Sequence, residues 1–170
     1  SSAASDVYKR QGNMRVVIKG GTKSQQKHIR SVTKFCAKKL MPRMSLEIAI
    51  NIKTIDGETL GYCLPLCEDG ERSDRPRSFE IELNSKLKLR KMLIALCHEM
   101  VHAKQFATGE LYDGINIEGT RWKGKWFRKE PEYWDRPWEW DAMGREAALF
   151  IQWAEHYDYG NRTWTQEEYA

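Results

Sequence analysis

No stretch of this chain approaches the roughly 18 consecutive apolar residues that a membrane-spanning helix needs, and no charged-then-apolar N-terminal segment reads as a secretory signal. A cytoplasmic protein with no membrane partner is the expectation. Cysteine is sparse, and of the four, only Cys63 and Cys67 lie close together, one residue too far apart for a CxxC clip. Reduced thiols are therefore expected, with neither a disulfide frame nor a thiolate zinc site. Histidine is equally scarce, at four residues, which restricts any metal site built from imidazoles alone. A net charge of +4 is too small to imply a nucleic-acid partner by itself. Internal repeats and low-complexity tracts are missing too. What remains is a chain of 170 residues, 41% hydrophobic and 31% charged, a balance that suits one globular domain and a monomer.

Residues 1–11 lack apolar periodicity, and Asp6 to Gln11 resembles the translated end of a sequencing adaptor, so residues 1–13 are expected to be a non-native or disordered leader. Met14 to Lys19 is β-branched and ends at Gly20-Gly21, which predicts a strand and a turn. Thr22 and Gln25 match a capping box, and Ile29, Val32, Phe35, Cys36 and Leu40 follow helical spacing until Pro42 stops them. Leu46 to Ile52 and Leu60 to Leu66 alternate around an Asp56-Gly57 turn signal and predict a hairpin, with Pro65 at a strand end or an edge. Phe79, Ile81 and Leu83 predict another strand, followed by a helix from Leu87 to Thr108 that Asn84 and Ser85 would cap. Residues 109–136 show no clean period but are rich in aromatics, which predicts a long ordered loop. Pro137 then opens a last helix with an apolar face running towards Gly160, after which residues 161–170 are expected to fray. The fold class is α+β: a small mixed sheet against an amphipathic first helix, a second helix and a C-terminal helix, within residues 14–160.

The second helix carries His98-Glu99-Met100-Val101-His102. At roughly 3.6 residues per turn, the two imidazoles stand on one face and can share a single ion, and the spacing suits Zn2+. Glu99 is rotated by about 100° from His98, beside such an ion without binding it, where it can act as general base towards a metal-bound water. The predicted reaction is peptide-bond hydrolysis, with a protein or peptide as substrate. The competing view is that these are surface groups making ordinary hydrogen bonds, but Cys97, Met100 and Val101 give the motif an apolar setting in which buried imidazoles need partners. A catalytic zinc has three protein ligands. Among the other groups, His28 lies on the first helix and His156 near the end of the last, whereas Glu139 sits one turn into that helix between Trp138 and Trp140. A carboxylate so flanked is costly without a cation, which makes Glu139 the expected third ligand and His156 the alternative. Glu146, two turns further on, is a candidate to orient a ligand histidine, and Tyr133 and Tyr62 are candidates to stabilise an oxyanion.

With His98-Glu99-Met100-Val101-His102 upstream and Glu139-Trp140-Asp141-Ala142 downstream, the chain resembles the minimal gluzincin metallopeptidases, in which an HExxH helix precedes a helix bearing a glutamate ligand in an ExxA setting. The resemblance implies a zincin-like fold over most of residues 14–158. It also implies that Phe79 to Leu83 is the edge strand that pairs with an extended substrate. Leu96 to Ala103 is similar to SprT-like proteases as well. That family has a histidine in a downstream His-Gly segment, whereas Glu118-Gly119-Thr120-Arg121-Trp122 has none, and its frequent four-cysteine ribbon is missing here. The other readings are a DNA-associated protease and a nucleic-acid-binding module with a structural or vestigial zinc, supported by Arg121, Lys123, Lys125, Arg128 and Lys129 among aromatics.

Overall fold

The computed structural model describes residues 12–67, 74–114 and 119–166. The expectations for the first eleven residues and for Glu118 lie outside them. Gly12 and Asn13, expected to belong to the leader, are tied to the fold: Gly12 N donates to the Pro42 carbonyl at 3.1 Å and Asn13 accepts from Leu46 N at 2.8 Å.

Strand β1 (Met14–Lys19) leads through Gly20 and Gly21 into helix α1 (Lys23–Leu40). Gly20 has φ +83°, and a Cβ there would stand 2.2 Å from the Ile52 carbonyl oxygen, so only glycine fits the turn. The capping box is formed: Gln25 N donates to Thr22 Oγ1 at 3.0 Å, and Thr22 N donates to Gln25 Oε1 at 2.8 Å. Strands β2 (Leu46–Lys53), β3 (Gly61–Leu66) and β4 (Ser78–Asn84) complete a four-stranded sheet in the order β1-β2-β4-β3. The three strands β1, β2 and β4 are mutually parallel, and β3 lies antiparallel to β4.

This order corrects two expectations. β2 and β3 do not form a hairpin, because β4 lies between them. Its inward residues Phe79, Ile81 and Leu83 are completely buried, and Glu82 on the other face is held by Lys53 at 3.0 Å, so β4 has partners on both sides. The edge strand beside β4 is therefore β3, not Phe79 to Leu83. The side chains of β3 agree, since Leu64 and Leu66 are exposed and Pro65 cannot donate to a ladder.

Helices α1 and α2 (Leu89–Ala107) pack against this sheet, and α3 (Pro137–His156) packs on α2, which is central and buried along most of its length. Asn84 does not cap α2, whose N-cap is Lys88. Its side chain instead accepts from Lys86 N and donates to the Ile55 and Thr59 carbonyls, pinning the connection that leads into β3.

The segment expected as a loop contains a second, antiparallel sheet: β5 (Leu111–Asp113), β6 (Thr120–Trp122) and β7 (Lys125–Phe127). Strands of three residues are too short to show a period. The β6–β7 turn is nevertheless encoded, because Lys123 (φ 47°) and Gly124 (φ 85°) adopt the two positive values of a tight hairpin. A 3-10 turn, Tyr133–Asp135, delivers the chain to α3. Residues 161–166 are not frayed: helix α4 (Thr163–Gln166) is held by a 2.9 Å bond from Arg90 Nε to the Thr165 carbonyl, and Trp164 packs against His28. The architecture is α+β, with four helices and two sheets among the described residues, and no helix there is long and apolar enough to cross a membrane.

Candidate metal centre

His98 and His102 project one turn apart from the buried middle of α2. Their rings meet edge to face with centroids 4.8 Å apart, and their Nε2 atoms are separated by 3.1 Å. Glu139 arrives from the first turn of α3, where Pro137 opens the helix and the N-terminal end of the dipole favours a carboxylate. Its Oε1 lies 2.8 Å from both Nε2 atoms. Three potential ligand atoms thus form a triangle with sides of 2.8, 2.8 and 3.1 Å. Tetrahedral zinc with bonds of about 2.0–2.1 Å separates its ligand atoms by about 3.3 Å, so a slight opening of this triangle fits the ion. The donor set also fits, since two imidazoles and a carboxylate are a zinc combination.

Glu99 follows His98 but turns towards the cleft beside the triangle. It is only 5% exposed, and its Oε2 has no hydrogen-bond partner among the described residues. Burial pushes its carboxyl up to about 7, partly opposed by the two histidines. For His98, burial favours the neutral ring, but Glu139 and Glu146 override it and raise the group to about 10. His102 is raised in the same way, chiefly by Glu139 against burial. Glu139 itself, opposed by burial but bonded to both rings, is lowered to about 2.

Other residues hold these groups from outside. Glu146 Oε2, the candidate to orient a ligand histidine, lies 3.6 Å from His98 Nδ1, an ion-pair contact longer than a hydrogen bond. His102 Nδ1 lies 2.8 Å from Gln105 Oε1, and the Gln105 amide also donates to the Trp138 carbonyl and to Asp141 Oδ2, both at 2.9 Å. Gln105 was not singled out in the sequence, although it falls three residues after His102, on the same helical face.

Two cavities, of about 430 and 550 Å3, meet at Gly61, His98, Glu99 and Tyr133. The site therefore opens to both sides along the start of β3. Tyr133 reaches it from the 3-10 turn, and burial, then the charges of Glu139, Glu99 and Glu146, raise its phenol. Tyr62 is engaged elsewhere, since its hydrogen bond with Glu82 pushes it up to about 12. The remaining histidines are remote from the triangle. His156 packs on Phe35 and Tyr157, and His28 sits among Trp153, Tyr159 and Trp164. Cys36 and Cys97 approach to 3.8 Å in the core as free thiols.

No protein-family model, curated protein or solved structure matches this chain. Its functional reading therefore stands on the geometry above.

Proposed function

We propose that the chain is a zinc-dependent peptidase of the zincin kind, with His98, His102 and Glu139 as metal ligands and Glu99 as general base. The convergence of three ligand atoms within 3.1 Å beside a buried carboxylate oxygen that has no partner among the described residues carries this reading. A zinc ion held there would supply Lewis acidity, polarising a carbonyl and bringing water into a range where it ionises near neutral pH. Glu99 does the proton work. Its buried Oε2 can take a proton from the attacking water and return it to the leaving amine. The phenol of Tyr133, at the junction of the two cavities, can donate to the oxygen on which negative charge develops. An extended peptide has a backbone partner in edge strand β3, whose Gly61 to Leu64 segment lines the cleft.

The test is metal content followed by one substitution. The purified chain should hold about one zinc, and Glu99→Gln should keep it while losing cleavage of an unfolded protein substrate. Retained cleavage by Glu99→Gln would sink the mechanism, and a chain that takes up no zinc would sink the whole reading.

One observation favours a nucleic-acid role beside this one. Tyr112, Arg121 and Trp126 form a single cross-strand row on the small sheet, with the Arg121 guanidinium 4.9 Å from the Tyr112 ring centre and 5.7 Å from that of Trp126. Single-stranded DNA that binds there would dissociate steeply with added salt, and binding lost on Trp126→Ala would support the row as the contact.

A further inference from the structure

We infer that Gln105 is the positioning residue of this site: its side-chain amide, locked by α3, selects which nitrogen of His102 faces the ligand triangle. Gln105 is fully buried, and its three hydrogen bonds leave the amide one orientation. The Trp138 carbonyl and the Asp141 carboxylate are both acceptors, so the group facing them must be the NH2. Oε1 is then directed at His102 Nδ1, and because an amide oxygen only accepts, Nδ1 must carry the proton. With Nδ1 held by Gln105, Nε2 is the nitrogen that faces the triangle His102 shares with His98 and Glu139.

The same side chain sets distance as well as tautomer. Trp138 and Asp141 flank Glu139 at the start of α3, so Gln105 bonds α2's second ligand on one side and, through the Trp138 carbonyl and the Asp141 carboxylate, the residues around α3's ligand on the other. Asp141 is itself steadied by Arg145, whose Nε donates to Oδ1 at 2.9 Å. Ligand histidines are ordinarily oriented by a carboxylate, a backbone carbonyl or a water. Here an amide does it, adding no charge next to His102 and drawing its own orientation from the helix that supplies the third ligand.

The experiment compares Gln105→Leu, Gln105→Glu and the double variant Gln105→Glu/Asp141→Asn with the parent chain. Zinc affinity is read by competition with a chromophoric chelator, and the His102 Nδ1 proton by NMR of the ring-labelled chain with and without zinc. Gln105→Leu should weaken zinc on the order of 10–100-fold and abolish the slowly exchanging Nδ1 proton signal. Gln105→Glu keeps the acceptor but sets a carboxylate against Asp141, and adding Asp141→Asn restores a donor, so the double variant should regain the signal and most of the affinity. Affinity within about two-fold of the parent in Gln105→Leu, with an unchanged Nδ1 signal, would overturn the assignment. Loss of stability alone, with affinity intact in the folded chain, would reduce Gln105 to packing and also overturn it. Should Gln105→Leu fail to fold, the comparison of Gln105→Glu with the double variant decides. The affinity arm rests on the proposed metal site, whereas the NMR signal in the zinc-free chain does not, so a chain that binds no zinc would refute the metal reading and leave Gln105 to be judged by its proton.

Discussion

Replacing Glu139 with Gln removes one negative charge from a pocket where two histidines surround it, and the structure sets the size of the effect in the zinc-free chain. The carboxyl titrates at about 2 instead of its ordinary 4.5, which corresponds to about 3 kcal/mol of folding stability when the group is ionised. Because the folded value is the lower one, that stabilisation is present above pH 4.5 and is lost as the pH falls through 4.5 towards 2. His98 works at the other end of the scale. Its folded value of about 10 exceeds the ordinary 6.5, so its contribution is complete below pH 6.5 and disappears as the pH rises towards 10. From this pair, the zinc-free protein should be most stable between about pH 4.5 and 6.5. Urea unfolding of the chelator-treated protein across pH 3–9 reads these effects directly. Glu139→Gln should lower stability by about 3 kcal/mol near pH 6 and flatten the acid limb. A loss under about 1 kcal/mol, or an acid limb identical to that of the parent, would mean that the triangle is not held by this carboxylate.

Three further outcomes follow from named contacts. Glu99→Gln should raise the stability of the zinc-free chain above pH 7 by about 1–3 kcal/mol, seen as a higher urea midpoint, because it removes a buried charge whose Oε2 lacks a partner among the described residues; no gain would contradict that burial. His156→Ala should leave zinc stoichiometry and affinity unchanged by chelator competition, and a loss of metal would move the third ligand from Glu139 to His156. Gly61→Ala should cost about 1–3 kcal/mol in thermal or urea unfolding, since its Cβ would lie 2.5 Å from the Glu82 carbonyl oxygen; a neutral result would show that β3 can retreat from β4.

Local chemistry was legible in the sequence wherever the deciding groups are close along the chain. Thr22 and Gln25 form their capping box, Pro137 opens α3, and the spacing of His98 and His102 is enough to bring both rings to one point. Glu139 could be read from its two tryptophan neighbours, although Trp140 proves mostly exposed and only Trp138 is buried against the site. Strand neighbours were a different matter. An alternating pattern reports which face of a strand is buried but not which strand lies beside it, so the turn signal at Asp56-Gly57 suggested a hairpin that β4 displaces. The small sheet escaped because its strands are too short to repeat. Gln105 escaped for another reason: a polar residue in a helix reads as surface until α3 is seen to cover it.

Under the proposed peptidase reading, strand β3 would have two opposed tasks, to receive a guest chain and to refuse a second copy of its own. A free sheet edge is a template for uncontrolled pairing, and natural proteins blunt such edges with proline. Proline within a sheet turns its nitrogen to the unpaired side, so Pro65 removes one donor from the open rim, while Gly61 and Cys63 share its outward parity and retain theirs. The usable rim is thus confined to the few residues alongside Glu99 and His98 and ends before Leu66. A polypeptide substrate of the proposed kind would be gripped beside Glu99 and His98, while a runaway ladder has nowhere to extend.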